Sequence, residues 1–284
     1  MKKGILGTLA FVYALTSCDP LAVKEDLENE TVDQTDIPAA READSIDMEL
    51  NVRDELKLDN GIRIKWFERG TGGLLERGQV AAIDYKVFLE DETVIDGNHL
   101  LNKPSFPFMI GFNMQTEGWD VALTHLRVGD FAEVFIPSEL ARGEKGVEGL
   151  IPPNSNNILK IRVLSVVKPD REVDGNKVWL LESNERNKTK FSEKNTVEFH
   201  CMVSSESNPL YVNTFRTGNA FTLKLEDNGV VPGLKKALIN AKKSDRMYVY
   251  VPASEAYGNK GYVDLVKPGE ALFYNIMVMD ITEK

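Results

Sequence analysis

Cysteine and histidine are the first residue types to weigh for chemistry, and the chain offers Cys18, Cys201, His99, His125 and His200. Two cysteines do not make a disulfide framework. Histidines this far apart lack the paired spacing of a zinc or haem site, so neither is expected. The run Gly70-Thr71-Gly72-Gly73 lacks the Gly-Lys-Ser/Thr that would complete a phosphate cradle, and a turn is the better account of it. Cys201 reads as a small buried apolar residue, not as a reactive thiol.

Cys18 stands apart, because it closes a segment built as an address. Lys2 and Lys3 precede an apolar run from Gly4 to Leu15, and Leu15-Thr16-Ser17-Cys18 ends it. The run is too short to span a bilayer but suits a signal-peptide core. Its end resembles the bacterial lipobox, in which the cysteine is acylated and becomes the new N-terminus. Residues 1–18 are thus expected to be a lipoprotein signal peptide, with lipidation at Cys18 as the membrane anchor. That places the chain in a bacterial cell envelope as an outer-membrane lipoprotein, on the periplasmic face or the cell surface.

The net charge of -10 is unevenly spread: +2 over residues 1–18, -9 over 19–50, and -3 over the rest. The acidic stretch, poor in aromatic and large aliphatic residues, cannot bury enough surface to offset its ordering entropy; residues 19–55 read as a tether. The near-balanced remainder has no basic face, which argues against nucleic acid as a partner. With 42% hydrophobic and 27% charged residues in 284, an ordinary globule of two domains is expected.

The elements that must position any site emerge from a repeat. A shift of 115 residues aligns Phe106 with Phe221, Gly118 with Gly233, Asp130 with Asp245, Pro137 with Pro252, Gly146 with Gly261 and Pro153 with Pro268, without a gap. Two copies of one domain follow, at residues 56–168 and 172–284, joined by a short segment, and the period is too long for a solenoid. Within the first copy, residues 80–89, 131–136 and 158–164 read as strands. Trp119, Ala122, Leu123 and Leu126 fall at helical spacing between Gly118 and Gly129, which predicts one short amphipathic helix against an antiparallel sheet. The Gly- and Pro-rich loop 141–157 is the longest irregular stretch and the best place for function.

The first copy then reads Gly111...Gly118-Trp119-Asp120...Leu126-Arg127-Val128-Gly129-Asp130...Ile136-Pro137...Gly143...Gly146...Leu150-Ile151-Pro152-Pro153, and the second repeats it as Gly229-Val230-Val231-Pro232-Gly233 and Pro252-Ala253-Ser254-Glu255-Ala256-Tyr257-Gly258. This order and spacing resemble the FKBP family of peptidyl-prolyl isomerases over about 225 residues. The resemblance implies an α+β fold, each domain a half-wrapped antiparallel sheet around one short helix, with an aromatic-lined pocket for a proline ring.

In copy one the resemblance makes Trp119 the pocket floor, Tyr85, Phe106 and Phe108 wall residues, Asp96 the orienting acid, Ile151 a loop aliphatic and Thr116 the donor of a backbone N–H before the helix. Gln115 and Leu159 fall at further pocket positions. Leu159, with Ile95, replaces an aromatic residue, and Arg142 replaces the loop tyrosine; it reads as a solvated loop charge. In copy two Tyr257 restores that hydroxyl, Val230 and Val231 restore an aliphatic pair, and Phe221, Val266 and Tyr274 match wall positions. Leu234 replaces the floor. The first-strand tyrosine falls on His200 or Cys201, with alternation favouring Cys201, and no acid matches Asp96, the nearest positions being Tyr211 and Val212.

The implied chemistry is rotation about an X-Pro bond, whose barrier of about 18–20 kcal/mol comes from partial double-bond character. It needs no nucleophile, metal or cofactor. Two functions are consistent with these residues: a lipid-anchored isomerase acting on proline-containing client proteins, with copy one the better site, or a tandem binding or scaffold lipoprotein whose degenerate pockets grip clients without speeding rotation. A monomer is expected.

Overall fold

The computed structural model describes residues 51–283; the signal-peptide, tether and Cys18 assignments up to residue 50 lie outside the described residues. Two seven-stranded antiparallel sheets follow one another along the chain. The first is built from β1 (Asp54–Lys57), β2 (Arg63–Glu68), β3 (Val80–Phe88), β4 (Val94–Gly97) and β5 (Phe106–Met109), then, after helix α1 (Glu117–Leu123), β6 (Phe131–Ile136) and β7 (Asn157–Val167). Its order is β1-β2-β6-β7-β3-β4, with β5 paired to β3. Asp54 and Glu55, which the charge pattern puts in the tether, already pair with Trp66 and Lys65.

Alternation carries the strand reading into three dimensions. Ile83, Tyr85 and Val87 of β3 point inward beside Leu159, Ile161 and Val163 of β7, and all six join one core with Trp119, Ala122 and Leu123 of α1. Helix α1 is only seven residues long, so packing and not propensity holds it. Gly118 makes that packing close: a Cβ there would fall on Ile136 Cγ2 and the Leu140 carbonyl. Gly233 is in the same position against Val251 and Asn176, which explains why the repeat keeps glycine at both.

The second sheet contains β8 (Arg171–Val173), β9 (Asn176–Glu182), β10 (Asn195–Ser205), β11 (Val212–Asn213) and β12 (Phe221–Leu223), with α2 (Thr214–Thr217) between the last two. After α3 (Pro232–Leu238) come β13 (Arg246–Val251) and β14 (Leu272–Glu283). The order is β11-β10-β14-β13-β9-β8, with β12 on β10. Two features depart from the sequence reading. The joint after residue 168 is a β8-β9 hairpin built into the second sheet, and a one-turn helix interrupts each copy, a 3-10 turn at Asn98–Leu101 in copy one and α2 in copy two, the latter capped by Asn213 Oδ1 accepting from the Arg216 N–H.

Besides the core of each copy, a third cluster joins them: Val80, Met109 and Phe112 with Trp179, Tyr248, Ala271 and Phe273. Among the described residues no helix is long and apolar enough to cross a membrane.

Candidate functional site

Three elements bring the copy-one residues together. Helix α1 presents Trp119, only 2% exposed; β3 presents Tyr85, edge-on to the indole with centroids 5.2 Å apart; β5 presents Phe108, stacked on it at 5.2 Å and 20°. Phe106, half-buried, stands edge-on to Tyr85 at 6.0 Å. Offset and edge-to-face pairs at these separations are the favoured aromatic geometries. Ile151 and Leu159 lie in the same core, nearly or fully buried.

The polar side of the site centres on Asp96, which the β3-β4 pairing places beside Val87. Its carboxylate accepts from the Gly97 N–H at 2.7 Å, the Tyr85 hydroxyl at 3.2 Å and Gln115 Nε2 at 3.4 Å. Burial pushes this carboxyl above the ordinary carboxylate range; the hydrogen bonds from Gly97 and Tyr85 and the charge of Arg142 oppose the shift. Burial likewise holds the Tyr85 hydroxyl far above its ordinary range, and the neighbouring Asp96 adds to it.

Arg142 corrects the sequence reading. It is not a solvated loop charge: it is half-buried, and its Nη2 donates to Gln115 Oε1 at 3.0 Å. Burial lowers its pKa and Asp96 raises it. Gln115 thus bridges the guanidinium and the carboxylate, which makes a polar wall where an aliphatic one is usual. Thr116 caps α1 with extended backbone, its carbonyl accepting from the Trp119 N–H. Its buried hydroxyl oxygen has no partner among the described residues.

Strand register fixes the counterparts in copy two. Tyr85 pairs with Ile161 and Cys201 with Ile276, its 115-shifted equivalent. Cys201 is therefore the counterpart of Tyr85, and Tyr274, paired with Val203, that of Leu159. Val203 also pairs with Val212 as Val87 does with Asp96, so an aliphatic residue takes the place of the acid and Tyr211 that of Ile95. Even the support is repeated: Asn98 Oδ1 accepts from the Tyr85 N–H and Thr214 Oγ1 from the Cys201 N–H, both at 2.7 Å.

The copy-two pocket is accordingly aromatic and aliphatic. Val231, Leu234, Val266 and Tyr274 are buried in its core, with Val230, Tyr211 and Tyr257 packed against them. Tyr257 stacks on Tyr262 at 4.7 Å and 16°, a partner that sequence spacing did not single out. Phe221 stands at the rim, 45% exposed, against Phe199. Burial raises the hydroxyls of Tyr274, Tyr211 and Tyr257 and pushes the Cys201 thiol up to about 12. His200 points elsewhere, its ring 5.2 Å from Phe215.

Residues 72–164 and again 187–279 match the FKBP-type peptidyl-prolyl cis-trans isomerase family. The chain is 32% identical over 112 residues to the peptidyl-prolyl cis-trans isomerase Mip of Coxiella burnetii, covering 39% of this chain and 47% of Mip. It is 34% identical over 111 residues to the outer membrane protein MIP of Legionella longbeachae, 39% of this chain and 46% of that one. Against FK506-binding protein 1 of Eremothecium gossypii the identity is 34% over 110 residues, 38% of this chain and 96% of the relative. The chain spans about half the length of the two Mip relatives. Two matches of 93 residues each, on two sheets that present equivalent side chains from equivalent strands, place this chain in the FKBP-type peptidyl-prolyl cis-trans isomerase family.

Proposed function

We propose that the chain is a peptidyl-prolyl cis-trans isomerase whose working pocket is that of copy one, acting on proline-containing client proteins. The observation that carries this is the convergence of Tyr85, Phe108 and Asp96 on the Trp119 ring and its surroundings. A proline ring resting on the indole places the preceding amide in an apolar, water-poor setting. Desolvation disfavours the planar, charge-separated amide more than the twisted one, and only interactions stronger in the twisted state raise the rate. Each 1.36 kcal/mol of such preference is about tenfold. Thr116, at the mouth of α1, offers its backbone N–H, and Asp96 keeps the Tyr85 hydroxyl in place.

The second pocket favours a second reading for its own copy. With Leu234 as floor and Val212 in place of the acid, it has the apolar surface that binding needs and, although Tyr257 keeps the loop hydroxyl, it lacks the acid that holds Tyr85 in copy one. Copy two then grips a client while copy one turns it over, and the gain is one of effective concentration. Anchoring by lipid at Cys18 in the bacterial envelope, after a signal peptide and an acidic tether, is supported by the lipobox-like segment and by the envelope name of the Legionella relative. We take the domains as 56–168 and 172–284, each widened to take in the whole of its first strand, β1 from Asp54 and β8 from Arg171, and the molecule as a monomer.

The test is cis-trans exchange of an Ala-Phe-Pro peptide followed by NMR line shape. Enhanced exchange that disappears on Trp119→Ala in a folded protein supports the isomerase. No enhancement from the folded chain transfers the function to client binding.

A further inference from the structure

Strand β5 faces two ways. Phe106 and Phe108 line the copy-one pocket, whereas Pro107 and Met109 of the same four residues meet the second copy. The Tyr248 hydroxyl of β13 donates to the Pro107 carbonyl at 3.3 Å. Met109 is fully buried in the cluster shared by both copies. Just downstream, the Phe112 ring lies 5.8 Å from Phe273 and 5.9 Å from Tyr250. Met114, next to Gln115, packs on both the copy-one core and the shared cluster, and its sulfur accepts from the Met109 N–H at 3.0 Å. Salt bridges Arg77–Glu206 and Lys103–Glu182, at 3.1 and 3.3 Å, flank the contact.

By itself β5 is a weak element. It has four residues, pairs with β3 alone, and carries a proline that donates nothing to a ladder. Short edge strands of this kind need outside support to keep one position. We infer that the second copy is the positioning support of the first copy's pocket: Tyr248, Tyr250 and Phe273 hold β5 and residues 112–115 at the distance from Trp119 at which wall and floor meet. This rests on the reading of copy one as the working pocket. Tyr248 and its neighbours are positioning residues, since they touch the wall and not the client. Alternation along β13 separates the two duties, with Val249 turned into the copy-two core and Tyr248 and Tyr250 toward the shared cluster.

The experiment uses the full chain with two variants and two readouts. Tyr248→Phe keeps the ring in the shared cluster and removes the bond to Pro107. Val197→Ala weakens the copy-two core without touching the shared cluster. For Tyr248→Phe the kcat/KM for the Ala-Phe-Pro peptide is expected to fall about threefold, toward the lower end of the roughly two- to twelvefold that one neutral hydrogen bond spans. The amide resonances of Phe106 and Phe108 and the Trp119 indole resonance shift with it. Val197→Ala lowers the urea midpoint and leaves kcat/KM and those resonances unmoved. Unmoved resonances in Tyr248→Phe, or equal effects from Val197→Ala, overturn the inference. If the unaltered chain shows no isomerase activity, the isomerase reading fails separately, and the resonances alone decide whether the second copy positions the wall.

Discussion

Replacing Trp119 by leucine converts the copy-one floor into the one copy two already has in Leu234, at the equivalent helix position. The indole contacts two rings at 5.2 Å, Tyr85 edge-on and Phe108 stacked. Each such pair contributes about 0.5–1.5 kcal/mol beyond area burial, so the two together are worth about 1–3 kcal/mol. Leucine keeps an apolar filling, and the stability loss is expected at about 2–3 kcal/mol, below the range for truncating a buried tryptophan to alanine.

The loss of activity has a different origin. If the indole is the surface on which the proline ring turns, the contact it makes is with the twisted state, and removing about 1.4 kcal/mol of it slows exchange about tenfold. The assay is peptide exchange by NMR line shape, with a urea midpoint measured on the same sample to show that the variant is folded. Exchange within twofold of the unaltered chain, in a folded Trp119→Leu protein, refutes the assignment of the floor.

Three further outcomes are expected. Tyr257→Phe keeps the stack on Tyr262 and should change peptide exchange less than twofold; a drop of about tenfold, or about 1.4 kcal/mol, moves the working pocket to copy two. Burial pushes the Asp120 carboxyl, which accepts from the Gly111 and Asn113 N–H groups, from 3.8 up to about 6. A folded-state value above the unfolded one stabilises the fold below pH 4 and forfeits that contribution as pH rises through 6, so the stability of the unaltered chain relative to Asp120→Asn should fall by about 2.4 kcal/mol between pH 4 and 7. A flat difference in urea midpoints over that range counts against this account. With its thiol pushed up to about 12 and only 1% exposed, Cys201 should resist iodoacetamide at pH 8 until urea unfolds the chain; peptide-mapped label on the native protein contradicts the burial argument.

How far the sequence could be read depended on the range of the interactions involved. The 115-residue shift matched Gly118 of α1 to Gly233 of α3 and aligned the two Gly-rich loops, because such glycines are dictated by local close approach; it aligned Phe106 with Phe221 without marking β5 and β12 as strands. On β3 and β10 the offset is one residue larger, as the pairing of Tyr85 with Ile161 and of Cys201 with Ile276 shows. A gapless shift cannot see that, which is why the acid's counterpart stayed open between Tyr211 and Val212 until register decided for Val212. Arg142 was misread for a related reason. A charge in a Gly-rich loop defaults to solvent, and what turns it inward is Gln115, 27 residues away in sequence. Nothing in the sequence singles out Trp179, Tyr248 and Phe273 as an interface, since a contact between copies buries the same residue types as a core does.

The contrast between the copies is itself an argument about function. Val212 shows that the position opposite β10 can be filled by an aliphatic side chain with no charge to desolvate. Asp96 fills the same position in copy one at a cost, since burial disfavours its ionised form and even the nearby guanidinium does not cancel the shift. A buried carboxylate held in this way is weak as a source of stability, and removing its partners costs more than the set contributes. What Asp96 does that Val212 cannot is accept from the Tyr85 hydroxyl and fix that ring edge-on to Trp119. Orientation of a pocket wall is a requirement of turning a client's prolyl bond and not of merely holding it, so the copy that retains the acid is the one in which catalysis should be sought.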